Sequence, residues 1–316
     1  MFDIRSTMRI AVTGAFGYSG RYITERLLQA GHEVITLTNS LNRPNPFGMK
    51  ITTFPFNFEA PEKLCDSLRG VDALINTYWV RFDHRLFTHG QAVANTKVLF
   101  SAAKEAGVRR IVHVSITNPN STSTLPYFRG KAELESSLRG LGISYCILRP
   151  TVLFGKEDVL INNIAWSLRH LPVVGVFGKA DYRLQPIYVD DLAQAAAQKV
   201  SENHDEVIEA IGPETFTYRE LVARIGRVIG VKRLIISVSP GVGYWSCRLI
   251  GLFVGDVVIT REEIQGLMED RLYVDAPPLG ATRLTDWIER HRDTLGRHYT
   301  SEMARRVDRA SQYRSN

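Results

Sequence analysis

Apolar and polar positions change period repeatedly along the first half of the chain. Residues 8–13 form a short apolar, β-branched run; glycines follow, and 22–30 then carry apolar side chains at helical spacing until Gly31, which is placed to close a helix. Residues 33–38 and 50–56 read as the next two strands, 61–68 as a helix and 71–78 as a buried strand. The pattern then predicts a long helix over 86–106 that stops at Gly107, a buried strand over 110–115, a helix from Pro126 to about Leu138, and a strand over 144–148. Apolar strands that alternate with helices bury both faces of a parallel sheet, so residues 8–152 are expected to fold as a doubly wound α/β domain.

Beyond residue 152 the signal is more mixed. Residues 160–169 look helical, 184–189 extended, 190–200 helical, 207–211 a strand and 218–229 a helix. There is no internal repeat and no low-complexity linker, so 153–316 is expected to be a smaller α/β lobe interleaved with the first. This lobe would mainly bind substrate, with about 186–211 returning to the first sheet. The apolar stretch 245–259 is interrupted by Arg248 and Asp256 and falls short of the roughly 20 residues that span a bilayer. A helix packed on the lobe's own core is the simpler expectation than a membrane surface or a cover over a greasy substrate, and membrane contact is not expected.

Composition narrows the class. The chain of 316 residues is 44% apolar and 23% charged, ordinary for a globular protein with a well-buried core. Cys65, Cys146 and Cys247 lie far apart and form no C-x-x-C pair, which argues against a disulfide framework and a metal site. The same cysteine usage suits a reducing cytosol, so a cytoplasmic location is expected, and the opening residues lack the basic-then-apolar order of a signal peptide. The net charge of +6 is spread out rather than striped; it suits an anionic small ligand better than nucleic acid.

The chemistry begins at Gly14-Ala15-Phe16-Gly17-Tyr18-Ser19-Gly20, which joins the first strand to the first helix. A turn this tight needs no Cβ at Gly14; Gly17 lets backbone approach a pyrophosphate and Gly20 lets the helix pack on the sheet, while the helix N-terminus offers unpaired N–H groups. In this context the pattern is that of a Rossmann domain binding NAD or NADP. The second strand ends Leu37-Thr38-Asn39-Ser40 without the acid that usually holds a ribose 2′-hydroxyl, and Arg43 follows. NADP is therefore the preferred cofactor, with Asn39 and Arg43 near its adenosine end.

Tyr127 and Lys131 stand four apart at the start of a predicted helix, on one face. A phenol with a pKa near 10 is a poor acid–base group unless a cation favours its anion. Lys131 would supply that cation and also bond the nicotinamide ribose. Ser115 or Thr117, at the carboxyl end of the fifth strand, would orient a substrate oxygen.

Together with Leu148-Arg149-Pro150, 152–155 and 185–191, these motifs resemble the short-chain dehydrogenase/reductase superfamily over roughly residues 8–300. The chain is most similar to its atypical and extended branch, which includes nucleotide-sugar epimerases and dehydratases and the accessory Rossmann subunit of respiratory complex I. The resemblance implies that Asn57 and Phe58 contact adenine, that Asn76, Thr77 and Tyr78 line the cofactor, and that Phe16, Tyr18 and Pro150 adjoin it. A short 115–127 segment and the rivalry between Ser115 and Thr117 point to the atypical group, some of whose members bind cofactor without known chemistry.

Near the nicotinamide end, Arg81 and His84 are candidates for an anionic substrate group and for proton donation, and Asn163 is a candidate from the second lobe. Aromatic packing with exposed polar groups is the slightly favoured reading of Arg81 and His84, packing or surface pairing is at least as good a reading of Asn163, and Asp190-Asp191 suit the first turn of a helix. The first functional expectation is an NAD(P)-dependent oxidoreductase acting on a small-molecule carbonyl/hydroxyl pair, as a monomer or homodimer. An epimerase or dehydratase with retained NAD, or a non-catalytic NAD(P)-binding subunit or redox sensor, are the alternatives.

Overall fold

Short aliphatic and β-branched runs build the sheet of the first unit, because their side chains fill both of its faces. The computed structural model describes residues 7–39, 41, 45–83 and 87–303. β1 (Arg9–Thr13) leads through the glycine turn into α1 (Tyr18–Gln29) and β2 (Glu33–Leu37). Then come β3 (Ile51–Phe54), α2 (Pro61–Leu68), β4 (Ala73–Asn76), α3 (His89–Glu105), β5 (Arg110–Val114), α4 (Pro126–Arg139) and β6 (Ser144–Pro150). β7 (Leu153–Phe154), α5 (Leu160–His170), β8 (Val173–Phe177), β9 (Arg183–Leu184), β10 (Ile187–Tyr188) and α6 (Val189–Gln198) follow. The chain continues with β11 (Glu206–Ala210), β12 (Phe216–Thr217), α7 (Tyr218–Val228), β13 (Leu234–Val238), α8 (Pro240–Val254), α9 (Arg261–Met268) and α10 (Leu284–Arg290).

The central sheet has seven strands in the order β11-β6-β5-β4-β1-β2-β3, and the pairs from β3 to β6 run parallel. Strand order reverses between β1 and β4, the crevice where open α/β sheets bind ligands at their carboxyl edge. In register, Val12 lies opposite both Thr36 and Ile75. This is the doubly wound Rossmann-like fold expected from the alternation.

The chain divides into two compact units, Met1–Arg149 with Leu192–Ile208, and Pro150–Asp191 with Glu209–Asn316. The first has a core of Leu37, Leu64, Leu74, Leu99, Phe100 and Ile147. The second is centred on Phe154, Ile161, Leu168, Leu184, Leu221 and Trp287. Buried Arg110 opens β5, and its guanidinium is satisfied: it donates to Ser144 Oγ at 2.6 Å and His204 O at 2.9 Å and pairs with Glu206 at 3.2 Å.

Several boundaries move. The long helix begins at His89, because the Thr88 hydroxyl accepts from Gln91 N and caps it there. The third strand shortens to Ile51–Phe54, and the extended 184–189 divides into β9 and β10. β8 pairs with β13, a parallel two-stranded sheet the apolar pattern did not reveal, and α9 and α10 were likewise hidden in polar sequence. The stretch 245–259 is neither one helix nor wholly buried. α8 starts earlier, at Pro240, and ends at Gly255 in a left-handed conformation (φ 65°), with several large apolar side chains outward.

Candidate functional site

Gly14 has φ +69°, and a Cβ on it would come within 3.2 Å of Thr77 Oγ1. A Cβ on Gly20 would lie 2.2 Å from Gly14 O, so α1 sits against the turn only because position 20 has no side chain. Gly17 forms the N-cap of α1, and its N–H donates to Gly14 O at 2.7 Å. The Thr36 hydroxyl donates to Val12 O at 2.8 Å and accepts from Ala15 N at 3.3 Å, anchoring the turn to β2. The first turn of α1 holds no acid, so its positive dipole end is uncompensated. This cradle, which side chains would fill, fits a pyrophosphate. Phe16 is buried beside it and Tyr18 half-buried, edge-on to Tyr22.

The next residues along the carboxyl edge come from β4. Thr13 Oγ1 donates to Asn76 Oδ1 at 2.9 Å and accepts from the N–H groups of Thr77 and Tyr78 at 2.8 and 3.1 Å. The buried Asn76 amide also lies 3.1 Å from His113 Nδ1, so this side chain ties β1, β4 and β5 together. Phe58 stacks on Phe56 with ring centres 4.7 Å apart, and Tyr78 lies 5.2 Å from Phe58. Asn95 donates to the Tyr78 hydroxyl at 2.8 Å, while burial pushes that phenol up to about 12. Asn57 adopts a left-handed conformation (φ 47°), with its carbonyl accepting from Ala60 N at 2.9 Å. Asn39 is exposed just past β2. Arg43 and His84 lie outside the described residues.

Tyr127 and Lys131 occupy the first turns of α4, and β5 ends alongside. Lys131 is 2% exposed, and its Nζ donates to Val114 O at 2.8 Å and lies 4.3 Å from the centre of the Trp79 ring. Burial lowers its pKa to about 7, against the opposing pull of Glu135. Half-buried Tyr127 meets Trp79 and His89 nearly edge-on, at ring separations of 5.5 and 5.6 Å. Asp83 Oδ1 accepts from His89 N at 2.7 Å and lies 2.7 Å from its Nδ1. A Cβ at Gly130 would be 2.9 Å from the Trp79 ring, so this contact requires the glycine of α4.

The rival hydroxyls diverge. Ser115 donates to Glu135 Oε1 at 2.7 Å, and Arg149 clamps the same carboxylate from Nε at 2.9 Å and Nη2 at 2.6 Å. That hydroxyl is engaged in a buried ionic network. Thr117 lies two residues further along the carboxyl edge and is buried. Arg81 is half-buried after β4, and Pro150 ends β6. In the second unit, both ends of the Asn163 amide are held by Thr300: Nδ2 donates to its carbonyl and Oδ1 accepts from its N–H, each at 2.9 Å. Asn163 thereby fastens a later segment of its own unit. Asp191, expected to serve α6, accepts from Thr282 N at 2.8 Å and Thr282 Oγ1 at 2.9 Å.

Trp79, His89 and Glu135 are the neighbours of the Tyr127/Lys131 pair that residue spacing did not single out. The Asp83/His89 pair at the start of α3 and the i, i+4 spacing of Lys131 and Glu135 on α4 are local signals; the Trp79 contact comes from folding.

A glycine turn after β1 that fits a pyrophosphate, set in a 3-2-1-4-5-6 strand order, is matched by the model of the NAD dependent epimerase/dehydratase family over residues 10–210. The chain belongs to that family. This chain is 28% identical to the mitochondrial NADH dehydrogenase [ubiquinone] 1 alpha subcomplex subunit 9 of Rattus norvegicus, over 85% of this chain and 74% of that one. The fold is similar to the Citrobacter sp. triphenylmethane reductase complexed with NADP(H), with TM-score 0.74, 18% identity, and coverage of 89% of this chain and 99% of that one. It is also similar to a UDP-N-acetylglucosamine 4-epimerase from Methanobrevibacter ruminantium, with TM-score 0.64, 18% identity and coverage of 74% and 86%. This family member thus has an NAD(P)-binding fold whose relatives include reductases, epimerases and a respiratory subunit.

Proposed function

We propose that the protein is an NAD(P)-dependent oxidoreductase acting on a carbonyl/hydroxyl pair, with Tyr127 as acid–base group. The observation that carries this reading is one sheet edge that holds the glycine cradle, the Trp79 face and the Tyr127/Lys131 pair. When bound, the dinucleotide supplies hydride chemistry. Tyr127 would hand a proton to the substrate oxygen or take it back. Lys131, held at Val114 O, would favour the phenolate whenever its amine is charged. Ser115 and Thr117 are the candidate hydroxyls for orienting substrate, and Ser115 also donates to Glu135. Arg81 remains the candidate for an anionic substrate group.

NADP is the proposed cofactor, because β2 runs into Thr38 and Asn39 without an acid. The NADP(H) complex of the similar Citrobacter reductase supports this choice. A cofactor-binding subunit is the second reading, favoured by the rat relative's place in NADH dehydrogenase.

The test is to identify any copurifying nucleotide by mass spectrometry, titrate NADPH and NADH, and follow NADPH oxidation across a panel of carbonyl compounds. NADPH should bind at least as tightly as NADH, and at least one carbonyl should be reduced. A clear preference for NADH would overturn the cofactor choice; tight binding with no acceptor reduced would overturn the enzyme in favour of the subunit.

A further inference from the structure

α8 is apolar nearly all round and seats itself by its glycines. A Cβ on Gly243 would lie 2.4 Å from the Phe177 ring and one on Gly251 2.5 Å from Asp256 O, so that side of the helix is pressed against its own unit. The opposite side carries Val242, Trp245, Leu249, Leu252 and Phe253, which are 58–83% exposed. At about 100° per residue these five fall within an arc of roughly 100°, a continuous apolar stripe. Helices that are apolar all round are normally covered, and among the described residues nothing covers this stripe.

The two charged side chains that lie against the aromatic rings of this helix are both cations. Residues 240–255 contain no acid, while Arg248 lies 5.7 Å from the Trp245 ring and Arg261 4.8 Å from that of Tyr244. A second copy of this stripe would bring like charges together, on a chain already at +6. An anionic lipid surface complements them instead. The aromatic pair Tyr244/Trp245 suits the headgroup boundary. Among the described residues no helix is long and apolar enough to cross a membrane, so α8 would lie in the surface plane.

We propose that the α8 face is a docking surface for a bilayer containing anionic phospholipid. The intact protein is mixed with vesicles of phosphatidylcholine alone or with added phosphatidylglycerol, and the sedimented fraction is measured. It should bind the anionic vesicles, release as salt rises, and lose at least about tenfold in affinity in the double variant Leu249→Ser/Phe253→Ser. Arg248→Glu should weaken binding without altering the apolar stripe. Both variants change exposed residues, and an unfolding midpoint equal to wild type shows that they fold. Failure of the wild type to bind, binding indifferent to lipid charge, or a wild-type dimer that the double variant turns monomeric would each overturn the proposal.

Discussion

At Lys131 an ammonium loses its water and receives a carbonyl oxygen and an indole face in exchange. The folded protein therefore holds this proton less tightly than the unfolded chain does. Its pKa falls from 10.5 to about 7 on folding, chiefly by burial. Below pH 7 both states carry the proton, and the folded state bears the full cost of burying the charge. Above it the folded state gives the proton up first, so the unfolded chain binds more protons and stability rises with pH. Subtracting the Lys131→Met variant isolates this contribution. Wild-type minus variant unfolding free energy, from urea titrations of the cofactor-free proteins, should rise by roughly 1 kcal/mol per unit between about pH 7 and 9. A difference that stays flat would show that the amine keeps its charge. Residue spacing put Tyr127 and Lys131 on one helical face, yet gave no warning of this environment. Trp79 and Val114 approach from other elements, and Glu135, one turn further along α4, is tied by Ser115 to the end of β5.

The glycine turn separates two kinds of constraint within one element. Gly20 serves the fold: its missing Cβ leaves room for a backbone carbonyl 2.2 Å away, which cannot move aside as a flexible side chain would. Gly20→Ala should cost on the order of 1–3 kcal/mol of stability, the scale of an overpacked contact. At Gly17 a Cβ would be 3.1 Å from Gly14 O, a tight contact that a small local shift relieves. Gly17→Val should fold, yet bind dinucleotide at least about tenfold more weakly because its side chain meets the pyrophosphate. Thermal unfolding and isothermal titration on both variants would check the pair; wild-type affinity in Gly17→Val contradicts the assignment of the turn. Elements of the first unit were legible because β1, β2, β4 and β5 are buried on both faces and read as largely apolar runs. β13 in the second unit has three of its five residues exposed, and α10 is only seven residues long, so neither shows a period to read.

For the whole molecule, family membership fixes the NAD(P)-binding fold, while the Tyr127/Lys131 pair carries the proposed reaction. A protein that only holds the dinucleotide has no need of the Tyr127 hydroxyl, whereas an oxidoreductase moves a proton through it. Tyr127→Phe removes that one oxygen and leaves the ring to pack on Trp79 and His89. The measurement is steady-state turnover of Tyr127→Phe on a carbonyl substrate that the wild type reduces, beside a dinucleotide titration of both proteins. Turnover should fall by at least about 10²-fold with dinucleotide affinity unchanged, the loss expected of a general acid–base. Wild-type turnover in Tyr127→Phe, with the substrate still reduced, would contradict the mechanism.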